Sequence, residues 1–551
     1  MSEGAHAERG SLGASPGNHW LVLGVLCIAV FTTMVDTSIV NVALPTLVRE
    51  LHASTRDLLW VVDSYNLVFG ALVLAAGSLS DRFGRKGALI GGLAIFGIAS
   101  AAGAAATDPT QLIAARVVMG IGAAFVFPAT LSIITNVFPD RTERATAIGA
   151  WGATAGLAVA VGPITGGALL GSFWWGSIFL AMVPLAAAAL VLVAMLVPTS
   201  KDPATPPLDK RGFLLSILGL GVLVYTIIEA PGRGWMTART LGGFAVAAAI
   251  LITFVAIERR TVHPMLDVSL FNNLRFSAAS GAVAVAFFAL FGFLFLATQY
   301  FQFGKGYSAL STGVRMLPVA IAVGVMALVG TQLAVKLGNK LVIASGLGIM
   351  SVGFLWFSFD TSSTSYLVIA AQMVVAGIGI GLTSAPATEA IMDVVPAEQA
   401  GIGSAVNDAT REIGGTLGVA VIGSVFTSLY VASFDRVATS PSLPASVLNV
   451  ARGSLGAAES VAAKLGGTNV VGSRAILHAA NGGFFDGFSA GSYIAAGVTL
   501  IGCVAAAILL PGPLPAHVDL TTDDVIDLRE SQSGEPGSGA TSLDDLLPSW
   551  S

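Results

Sequence analysis

Long uninterrupted runs of apolar residues make up most of this chain. Fourteen of them reach about 20 residues, the length at which an α-helix crosses a lipid bilayer. The runs do not alternate with polar residues, so they predict helices and exclude the strands of a membrane barrel. The predicted spans cover residues 19–47, 57–80, 87–107, 110–137, 144–171, 175–198, 212–231, 239–258, 276–303, 309–335, 339–359, 364–391, 402–430 and 488–511.

Composition agrees with this pattern and excludes several classes of protein. Of the 551 residues, 54% are hydrophobic and only 11% are charged, against about 25% in an average soluble protein. The mean hydropathy is +0.82. This leaves too little charge for a soluble domain, a disordered chain or a nucleic-acid-binding protein. The two cysteines, Cys27 and Cys503, give neither a disulfide framework nor a zinc-ligand spacing.

The positive charges predict the orientation of the spans, because cytoplasmic loops carry an excess of Lys and Arg. With the N-terminus in the cytoplasm, the inside loops hold thirteen such residues and the short outside loops hold five. We therefore expect both ends, residues 1–18 and 512–551, in the cytoplasm. The acidic tail 512–551 is rich in Gly, Ser and Pro and is typical of a disordered segment. Segment 431–487 falls outside and is expected to form short surface helices.

A weak internal repeat relates spans 2–5 to spans 10–13. Gly84 and Lys86 recur as Gly338 and Lys340 at an offset of 254 residues. Gly120-Ile121-Gly122 recurs as Gly377-Ile378-Gly379 and Pro139 as Pro396 at an offset of 257, and Pro128-Ala129-Thr130 recurs as Pro386-Ala387-Thr388 at an offset of 258. Several matches in order at a nearly fixed offset are unlike chance similarity between Gly-rich segments.

The repeat predicts a domain organisation of two six-helix bundles. The N-terminal bundle takes residues 19–198 and the C-terminal bundle residues 276–511, with two helices of residues 212–258 inserted between them. Two repeated bundles with a site between them near the middle of the membrane are the architecture of a rocking transporter.

The loop after span 2 carries a patterned set of glycines and charges. It reads Gly77-Ser78-Leu79-Ser80-Asp81-Arg82-Phe83-Gly84-Arg85-Lys86. Its basic residues alone would satisfy the positive-inside rule. The full pattern, however, resembles the loop 2–3 signature of the major facilitator superfamily, and a weaker copy surrounds Gly338. The resemblance implies a cytoplasmic latch that holds the outward-open state, formed by Gly77, Asp81, Arg82, Gly84, Arg85 and Lys86.

Three further stretches resemble one branch of that family, the fourteen-span drug:proton antiporters. They are Val35-Asp36-Thr37-Ser38-Ile39-Val40-Asn41-Val42-Ala43-Leu44-Pro45 in span 1, Arg116 ahead of Gly120 and Gly122 in span 4, and Gly162-Pro163-Ile164-Thr165-Gly166-Gly167 in span 5. The last resembles the antiporter signature of the branch, although Ala158 stands where the family usually has another glycine. The simpler role of these small residues is tight helix packing. Packing of span 5 against the other half would also close the transporter on one side of the membrane.

Charged residues inside the spans are the most informative candidates for chemistry. A charge at the bilayer centre costs at least about 2.5–3.5 kcal/mol, so each is a functional candidate. Asp36 stands out because it lies deep in its span among polar neighbours, and with Arg116 in reach it could gain and lose a proton near neutral pH. The residues predicted to take part in proton coupling are Asp36, Arg116, Asp63, Asp408, Glu412 and Glu389.

Several of these charges also have a purely structural interpretation. Asp36 could be paired permanently with Arg116. Asp408, Arg411 and Glu412 lie within one helical turn and could form an ion-pair cluster. Arg315 and Glu389 lie near span ends, and their side chains could simply extend to the membrane interface. Glu229 lies near the end of span 7 and could anchor a loop.

The resemblance also implies that spans 1, 4, 9 and 12 line the substrate cavity. Span 9 is rich in aromatic residues, which suit flat, lipophilic cations through stacking and cation–π contacts. These positions cover more than one helix face, so many of them must meet lipid or neighbouring helices. The predicted cavity residues are Asn41, Phe125, Phe291, Gln299 and Tyr300.

Together these features predict a secondary active transporter that exports drugs in exchange for protons. A proton that neutralises Asp36 on the outer side releases the drug, and deprotonation on the inner side favours loading of a cationic or polar amphipathic drug. The chain has no Walker A pattern, and its six histidines show no metal-ligand spacing. We expect no catalytic residue, metal or cofactor, and a monomer in the cytoplasmic membrane. The alternative is nutrient uptake, or export of an amino acid, siderophore or lipid.

Overall fold

The computed structural model describes residues 19–200, 209–262, 264, 266, 268–395, 400–437, 445–465 and 470–511. Helices dominate, and these residues contain no strand. The α-helices are α1 (His19–Glu50), α2 (Thr55–Phe83), α3 (Arg85–Ala104), α4 (Pro109–Val137), α5 (Arg141–Ser172), α6 (Ser177–Leu180), α7 (Met182–Leu196), α8 (Lys210–Arg233), α9 (Ala238–Glu258), α10 (Leu274–Gln299), α11 (Ala309–Arg315), α12 (Leu317–Leu337), α13 (Asn339–Phe357), α14 (Tyr366–Met392), α15 (Ala400–Val437), α16 (Ala445–Ala451), α17 (Leu455–Leu465) and α18 (Val470–Leu509). A 3-10 turn (Val268–Asn272) precedes α10, and a π-helical turn (Tyr300–Gly304) follows it.

The helices lie where the sequence predicts spans. α6 and α7 share one predicted span, as do α11 and α12, so helices occupy all fourteen positions. Twelve stretches of the described helices are long and apolar enough to cross a membrane. The all-helical fold class is confirmed, and the number of fourteen membrane spans stays a prediction.

Capping residues set where two of the helices begin. At α2, the Ser54 hydroxyl accepts a hydrogen bond from the Asp57 backbone at 3.2 Å, and the Asp57 carboxylate accepts one from the Ser54 backbone at 2.9 Å. At α4, Asp108 accepts a hydrogen bond from the Gln111 backbone at 3.0 Å. Pro109 takes the first helical position of α4, where an N–H would have no partner within the helix.

The last helix starts earlier than the span predicted for it. The prediction begins at residue 488, whereas α18 begins at Val470 and runs for 40 residues. Polar residues and a Gly-Gly pair end the apolar run there, yet they do not end the helix. A helix of this length spans about 60 Å, twice the apolar thickness of a bilayer. Segment 431–487 therefore contains the end of α15, the short helices α16 and α17, and the beginning of α18.

The repeat recurs in the way glycines pack. A Cβ added to Gly120 of α4 would fall 2.7 Å from the Tyr65 carbonyl oxygen in α2. A Cβ added to Gly377 of α14 would fall 2.8 Å from the Val319 carbonyl oxygen in α12. These glycines let the corresponding helices of each half approach closely. The same holds for Gly122 and Gly379, which lie against Gly92 and Gly346.

Two repeated glycines join consecutive helices. Gly84 lies between α2 and α3 with φ 122°, and Gly338 lies between α12 and α13 with φ 83°. A residue with a Cβ rarely adopts such angles, which explains why glycine occurs at both copies of the loop.

Helices of the two halves touch at one end of the molecule. We call the end where α1 stops and α2 starts the α1–α2 end. There the Gln302 side chain donates a hydrogen bond to the Val42 carbonyl at 2.8 Å, and Gly423 of α15 lies against Leu59 of α2. Deeper in the molecule, Gly70 of α2 lies against the Glu412 side chain of α15. The structure is therefore closed at the α1–α2 end.

The short helices α16 and α17 pack onto this end. The Gly453 carbonyl between them accepts hydrogen bonds from the Thr55 backbone at 3.1 Å and the Thr55 hydroxyl at 2.9 Å. The Tyr430 hydroxyl of α15 donates to the Ala451 carbonyl at 2.9 Å. Burial raises the pKa of Glu459 in α17, and the charge of Arg49 opposes that shift.

Candidate functional site

A buried ion pair joins α1 to α4. The Arg116 guanidinium donates a hydrogen bond to one carboxylate oxygen of Asp36, and at most 1% of either side chain is exposed. The Arg116 Nε donates a second hydrogen bond, 2.9 Å long, to the Val61 carbonyl of α2. The other Asp36 oxygen has no hydrogen-bond partner in the described part of the chain. Asp36 therefore lies in the protein interior and not against lipid.

An aromatic ring completes the surroundings of Arg116. The Tyr65 ring centroid lies 4.2 Å from the guanidinium carbon, and the Tyr65 hydroxyl donates to the Thr33 carbonyl at 3.3 Å. A desolvated cation–π contact of this kind stabilises by about 2 kcal/mol. Tyr65 is not among the site residues predicted from the sequence. Val61 and Tyr65 are one turn apart and therefore lie on the same face of α2. The sequence does not show that this face packs against α4 and contacts Arg116.

Small residues bring Arg116 within reach of α2. Gly120 lies one turn after Arg116, and a Cβ there would fall 3.2 Å from the Val68 side chain as well as close to Tyr65. Bulk at this position would push α4 away from α2. The glycines that the resemblance marks in span 4 thus position the ion pair.

The other polar residues of α1 near Asp36 bond mainly to backbone carbonyls. The Asn41 side chain is buried and donates to the Thr37 carbonyl at 3.1 Å. The Ser38 hydroxyl donates to the Ala158 carbonyl of α5 at 3.2 Å. Such bonds satisfy hydroxyl and amide groups where water is excluded. Ala158, the departure from the family pattern, is itself fully buried at this contact.

The antiporter motif packs α5 against α1. A Cβ added to Gly162 would collide with the Ser38 hydroxyl. A Cβ added to Gly166 would fall 2.6 Å from the Ile39 side chain. Both contacts lie within the N-terminal bundle, close in sequence to Asp36.

The same motif packs α5 against the C-terminal bundle. A Cβ added to Gly167 would fall 2.7 Å from the Ala309 carbonyl oxygen of α11. On the facing helix, a Cβ added to Gly313 would collide with the Pro163 carbonyl. The motif is therefore a contact between the two halves at the α1–α2 end.

The remaining predicted acids lie in different surroundings. Asp63 of α2 is fully buried, and neither of its carboxylate oxygens has a hydrogen-bond partner among the residues described. Glu389 of α14 is exposed. It lies one turn before Asp393, which pairs with Arg275 at 2.8 Å. Asp63 is thus a buried carboxyl with no ion-pair partner among the described residues, whereas Glu389 belongs to the surface.

Asp408, Arg411 and Glu412 do not form a tight ion-pair cluster. The Arg411 guanidinium donates to the Thr388 hydroxyl at 2.9 Å and lies 5.2 Å from the Phe287 ring centroid. No ion pair within 4.0 Å joins Arg411 to Asp408 or Glu412 in the described structure, and one oxygen of the buried Glu412 has no hydrogen-bond partner there. Glu412 faces α2 across the boundary between the halves.

The loop 2–3 residues contact their own half. The Lys86 ammonium donates to the Ala194 carbonyl of α7 at 2.8 Å, and the Arg85 backbone donates to the Ser200 carbonyl at 3.0 Å. Gly77 lies against Pro128 of α4, and Arg82 is exposed. The Asp81 side chain lies outside the described structure, and a latch between the halves stays a prediction.

The predicted cavity residues on α10 and α4 are engaged in helix packing. Phe291 lies against Gly415 of α15 and makes an edge contact with Phe287 at 5.8 Å between ring centroids. Phe125 lies against Gly92 of α3. The aromatic character of span 9 is thus used in part to pack α10 onto α15.

Gln299 and Tyr300 are held near the α1–α2 end. The buried Gln299 amide donates to the Phe295 carbonyl at 3.1 Å. Tyr300 stacks on Phe488 at 4.8 Å, and its hydroxyl donates to the Thr361 carbonyl at 3.0 Å. None of these described contacts reaches Asp36 or Arg116, so a cavity shared by the predicted residues stays a prediction.

A buried carboxyl lies beside this cluster, in the loop between α13 and α14. Burial raises the pKa of Asp360 to about 6, although the Gln372 hydrogen bond and the Lys305 charge act in the opposite direction. The Gln372 amide donates to Asp360 at 2.9 Å. The Lys305 ammonium donates to the Ser362 carbonyl at 2.7 Å and also to the Thr364 carbonyl. These bonds tie the π-helical end of span 9 to the loop.

Comparison with known sequences identifies relatives over nearly the whole chain. The family model of the Major Facilitator Superfamily matches residues 26–419. The protein named Multidrug efflux pump LfrA, from Mycolicibacterium smegmatis, is 33% identical over 486 residues, which cover 88% of this chain and 95% of that protein. The Methyl viologen resistance protein SmvA, from Salmonella typhimurium, is 33% identical over 468 residues, covering 84% of this chain and 93% of that protein.

Comparison with solved structures agrees with the fold. A bacterial homolog to the human lysosomal transporter Spinster, in an inward-facing and occupied conformation, superimposes with a TM-score of 0.64. The match covers 91% of this chain and 100% of that chain at 16% sequence identity. At this identity the likeness concerns the fold.

Proposed function

This chain belongs to the major facilitator superfamily, and from that premise we propose that it exports drugs across the cytoplasmic membrane in exchange for protons. Relatives named for multidrug efflux and for methyl viologen resistance support drug export. The proposed substrates are lipophilic molecules that are cationic or polar and amphipathic. The protein acts as a transporter and not as an enzyme.

The proposed orientation places both termini in the cytoplasm. The excess of Lys and Arg in the corresponding loops supports it. The α1–α2 end then faces outward, and the structure is a conformation closed to the outside. In a cycle in which the two halves rock about a central site, this is the conformation that loads drug from the cytoplasm.

The observation that carries the proposal is the buried pair of Asp36 and Arg116. An ionised carboxylate in the membrane interior needs a counter-charge, which Arg116 supplies here. When a proton from the outside binds Asp36, the attraction to Arg116 is lost and the arrangement of α1, α2 and α4 that depends on it is weakened. Protonation thereby releases the drug, and deprotonation toward the cytoplasm restores the charge that favours loading.

The proton gradient supplies the energy, and the protein uses no cofactor. Each charge that crosses the membrane is worth about 2.3 kcal/mol per 100 mV. Asp63 and Glu412 are further candidate proton carriers, because each is a buried carboxyl with an unpartnered oxygen among the described residues. Asp408 completes the proposed set, whereas Glu389 is excluded from it because its side chain is exposed. The loop 2–3 residues hold the outward-open state, and one chain forms the working unit.

A resistance panel tests this function. A drug-sensitive bacterial host that expresses the chain is expected to tolerate higher concentrations of lipophilic cations than the host with an empty vector. A proton uncoupler at a sublethal dose should abolish the difference, because export then has no driving force. Resistance that persists with the uncoupler, or increased sensitivity on expression, contradicts proton-driven export.

A further inference from the structure

The inserted helices α8 and α9 have no counterpart in the repeat, yet α8 contacts both halves. It lies where α2 of the N-terminal bundle meets α15 of the C-terminal bundle. One small cavity is lined by all three helices: Asn66 and Leu67 of α2, Leu220 and Val224 of α8, and Ile413, Thr416 and Leu417 of α15. An insert that served only as a spacer between the bundles would not need to lie along this boundary.

An ion pair attaches α8 to α2 at the α1–α2 end. Glu229 of α8 is buried and pairs with Arg56, the second residue of α2. Arg233, one turn later on α8, lies 3.4 Å from the same carboxylate. The Tyr225 ring of α8 lies 6.1 Å from the Trp60 ring of α2. Because Arg56 is largely exposed, its charge stays hydrated when Glu229 is removed.

A proline creates the attachment of α8 to α15. Pro231 has no N–H, so the Ile227 carbonyl one turn earlier lacks its usual partner within the helix. The hydroxyl of Ser424, a fully buried residue of α15, donates to this carbonyl at 2.9 Å. In the turn after α8, the Trp235 indole donates to the Ser428 hydroxyl of α15 at 3.0 Å. The sequence of α8 thus exposes an acceptor that the other half satisfies.

We propose that the inserted helix α8 is a strap across the α1–α2 end, which holds α2 and α15 together and must release one of them when that end opens. The strap biases the protein toward the conformation closed at this end. The inference rests on the proposed transport cycle, because a strap has a role only if the end opens. Its test is a distance between the halves and does not depend on drug export.

The experiment uses full-length protein in lipid nanodiscs, with Cys27 and Cys503 replaced by alanine. Spin labels are placed at Thr110 of α4 and Ser362 of the loop after α13, two exposed positions at the α1–α2 end of opposite halves. Double electron–electron resonance spectroscopy then gives the distribution of distances between the two labels. A conformation open at this end has the longer distance.

Two variants weaken the strap at different attachments. Glu229→Gln keeps the shape of the side chain but removes the charge that holds Arg56, and Ser424→Ala removes the donor to Ile227. Since one intramolecular hydrogen bond or ion pair of this kind stabilises modestly, each is expected to raise the ratio of open to closed protein about fivefold. Thr427→Val is the matched control, because the Thr427 hydroxyl bonds to the Gly423 carbonyl of its own helix.

The outcomes separate the strap from its alternatives. Unchanged distances in folded Glu229→Gln and Ser424→Ala proteins overturn the proposal, and so does an equal shift in Thr427→Val. If Ser424→Ala fails to fold, Pro231→Ala replaces it, because a restored N–H competes for the Ile227 carbonyl and should also favour the open form. If the variants shift the distances but the parent protein exports no drug, the proposed function is contradicted and the strap stands.

Discussion

At the scale of single residues, Asp36 and Arg116 depend on each other. Both are buried to at least 99%, and removing one partner of such a pair costs about 3–5 kcal/mol because an uncompensated charge stays behind. A single substitution therefore changes folding as well as function. Removing both charges together avoids the orphan charge and separates the two effects.

We predict that Asp36→Asn lowers proton-driven drug export at least tenfold. Asparagine can still accept a hydrogen bond from Arg116, but it cannot exchange a proton. The double variant Asp36→Asn/Arg116→Gln should be better folded than the single one and equally inactive. Export is measured as dye efflux from energised cells, with the amount of folded protein checked by size-exclusion chromatography. Normal export by the single variant would show that this carboxyl does not couple.

Tyr65 provides a second prediction. Tyr65→Leu should destabilise the protein by about 2–4 kcal/mol, since it removes both the cation–π contact and an aromatic side chain from a packed interior. Tyr65→Phe keeps the ring over Arg116 and loses only the bond to Thr33, so it should behave nearly as the parent does. Thermal melting in detergent compares them, and equal melting of both variants would argue against the cation–π contact.

The sequence located this site but not its full composition. Charges are rare in the spans, so the sequence alone identifies Asp36 and Arg116, and a permanent pair between them is one of its two interpretations. Tyr65 is an ordinary aromatic residue of span 2, and only the close approach of α4 at Gly120 places its ring over Arg116. Asp63 and Glu412 were named for their charge alone, and burial distinguishes them from the exposed Glu389.

The loop carboxyl Asp360 predicts a pH dependence of stability. Its pKa is about 6 in the folded protein and 3.8 ordinarily, so the folded state binds the proton more tightly. Above about pH 6 the buried carboxyl is ionised, which lowers the free energy of unfolding. Below both pKa values it is protonated in the folded and the unfolded state, and the effect disappears. Asp360→Asn should therefore raise the melting temperature by about 2 °C at pH 8 and have little effect at pH 3.5.

The matched control for this experiment is Asp108→Asn, at the N-cap of α4. Asparagine caps a helix about as well as aspartate, so that variant should follow the parent across the same pH range. A stabilisation by Asp360→Asn that did not change with pH would contradict the assignment to its ionisation.

At the scale of helices, one glycine of α5 should control closure of the α1–α2 end. Gly167→Ala places a methyl group against the α11 backbone, so it should hinder closure and lower drug export at least tenfold. Gly171→Ala, one turn further along the same helix, meets open space and should retain normal export. Cysteine accessibility at the α1–α2 end measures closure, and equal accessibility in the two variants would rule out this role.

The helices also show which features an apolar pattern can predict. The fourteen positions follow from continuous hydrophobicity, which membrane burial requires. The start of α18 at Val470 could not be found in this way, because a helix that leaves the membrane needs no apolar run. The sequence also could not predict which face of α10 lines a cavity. The aromatic residues of α10 occur on several of its faces, so periodicity does not distinguish a cavity residue from Phe291, which packs on Gly415.

At the scale of the whole molecule, two halves with similar internal packing meet along a boundary that includes the buried carboxyl of Glu412. Equivalent glycines give the two halves similar close contacts between their own helices. In the proposed rocking cycle, the contacts that must change are those at the boundary, where the α5 motif, Glu412 and α8 lie. Coupling requires that protonation in one bundle changes the contacts between both. Asp36 is suited to this role because α1, which carries it, contacts α5 of its own bundle and the end of span 9 in the other.

Drug-induced proton movement in proteoliposomes tests this account most directly. Purified full-length protein is reconstituted into vesicles that contain a pH-sensitive dye, and a lipophilic cation is added outside. Exchange of drug for protons predicts that the lumen becomes alkaline with the parent protein and stays unchanged with Asp36→Asn/Arg116→Gln. Acidification of the lumen, or an alkaline shift that persists in the double variant, would contradict proton exchange through Asp36.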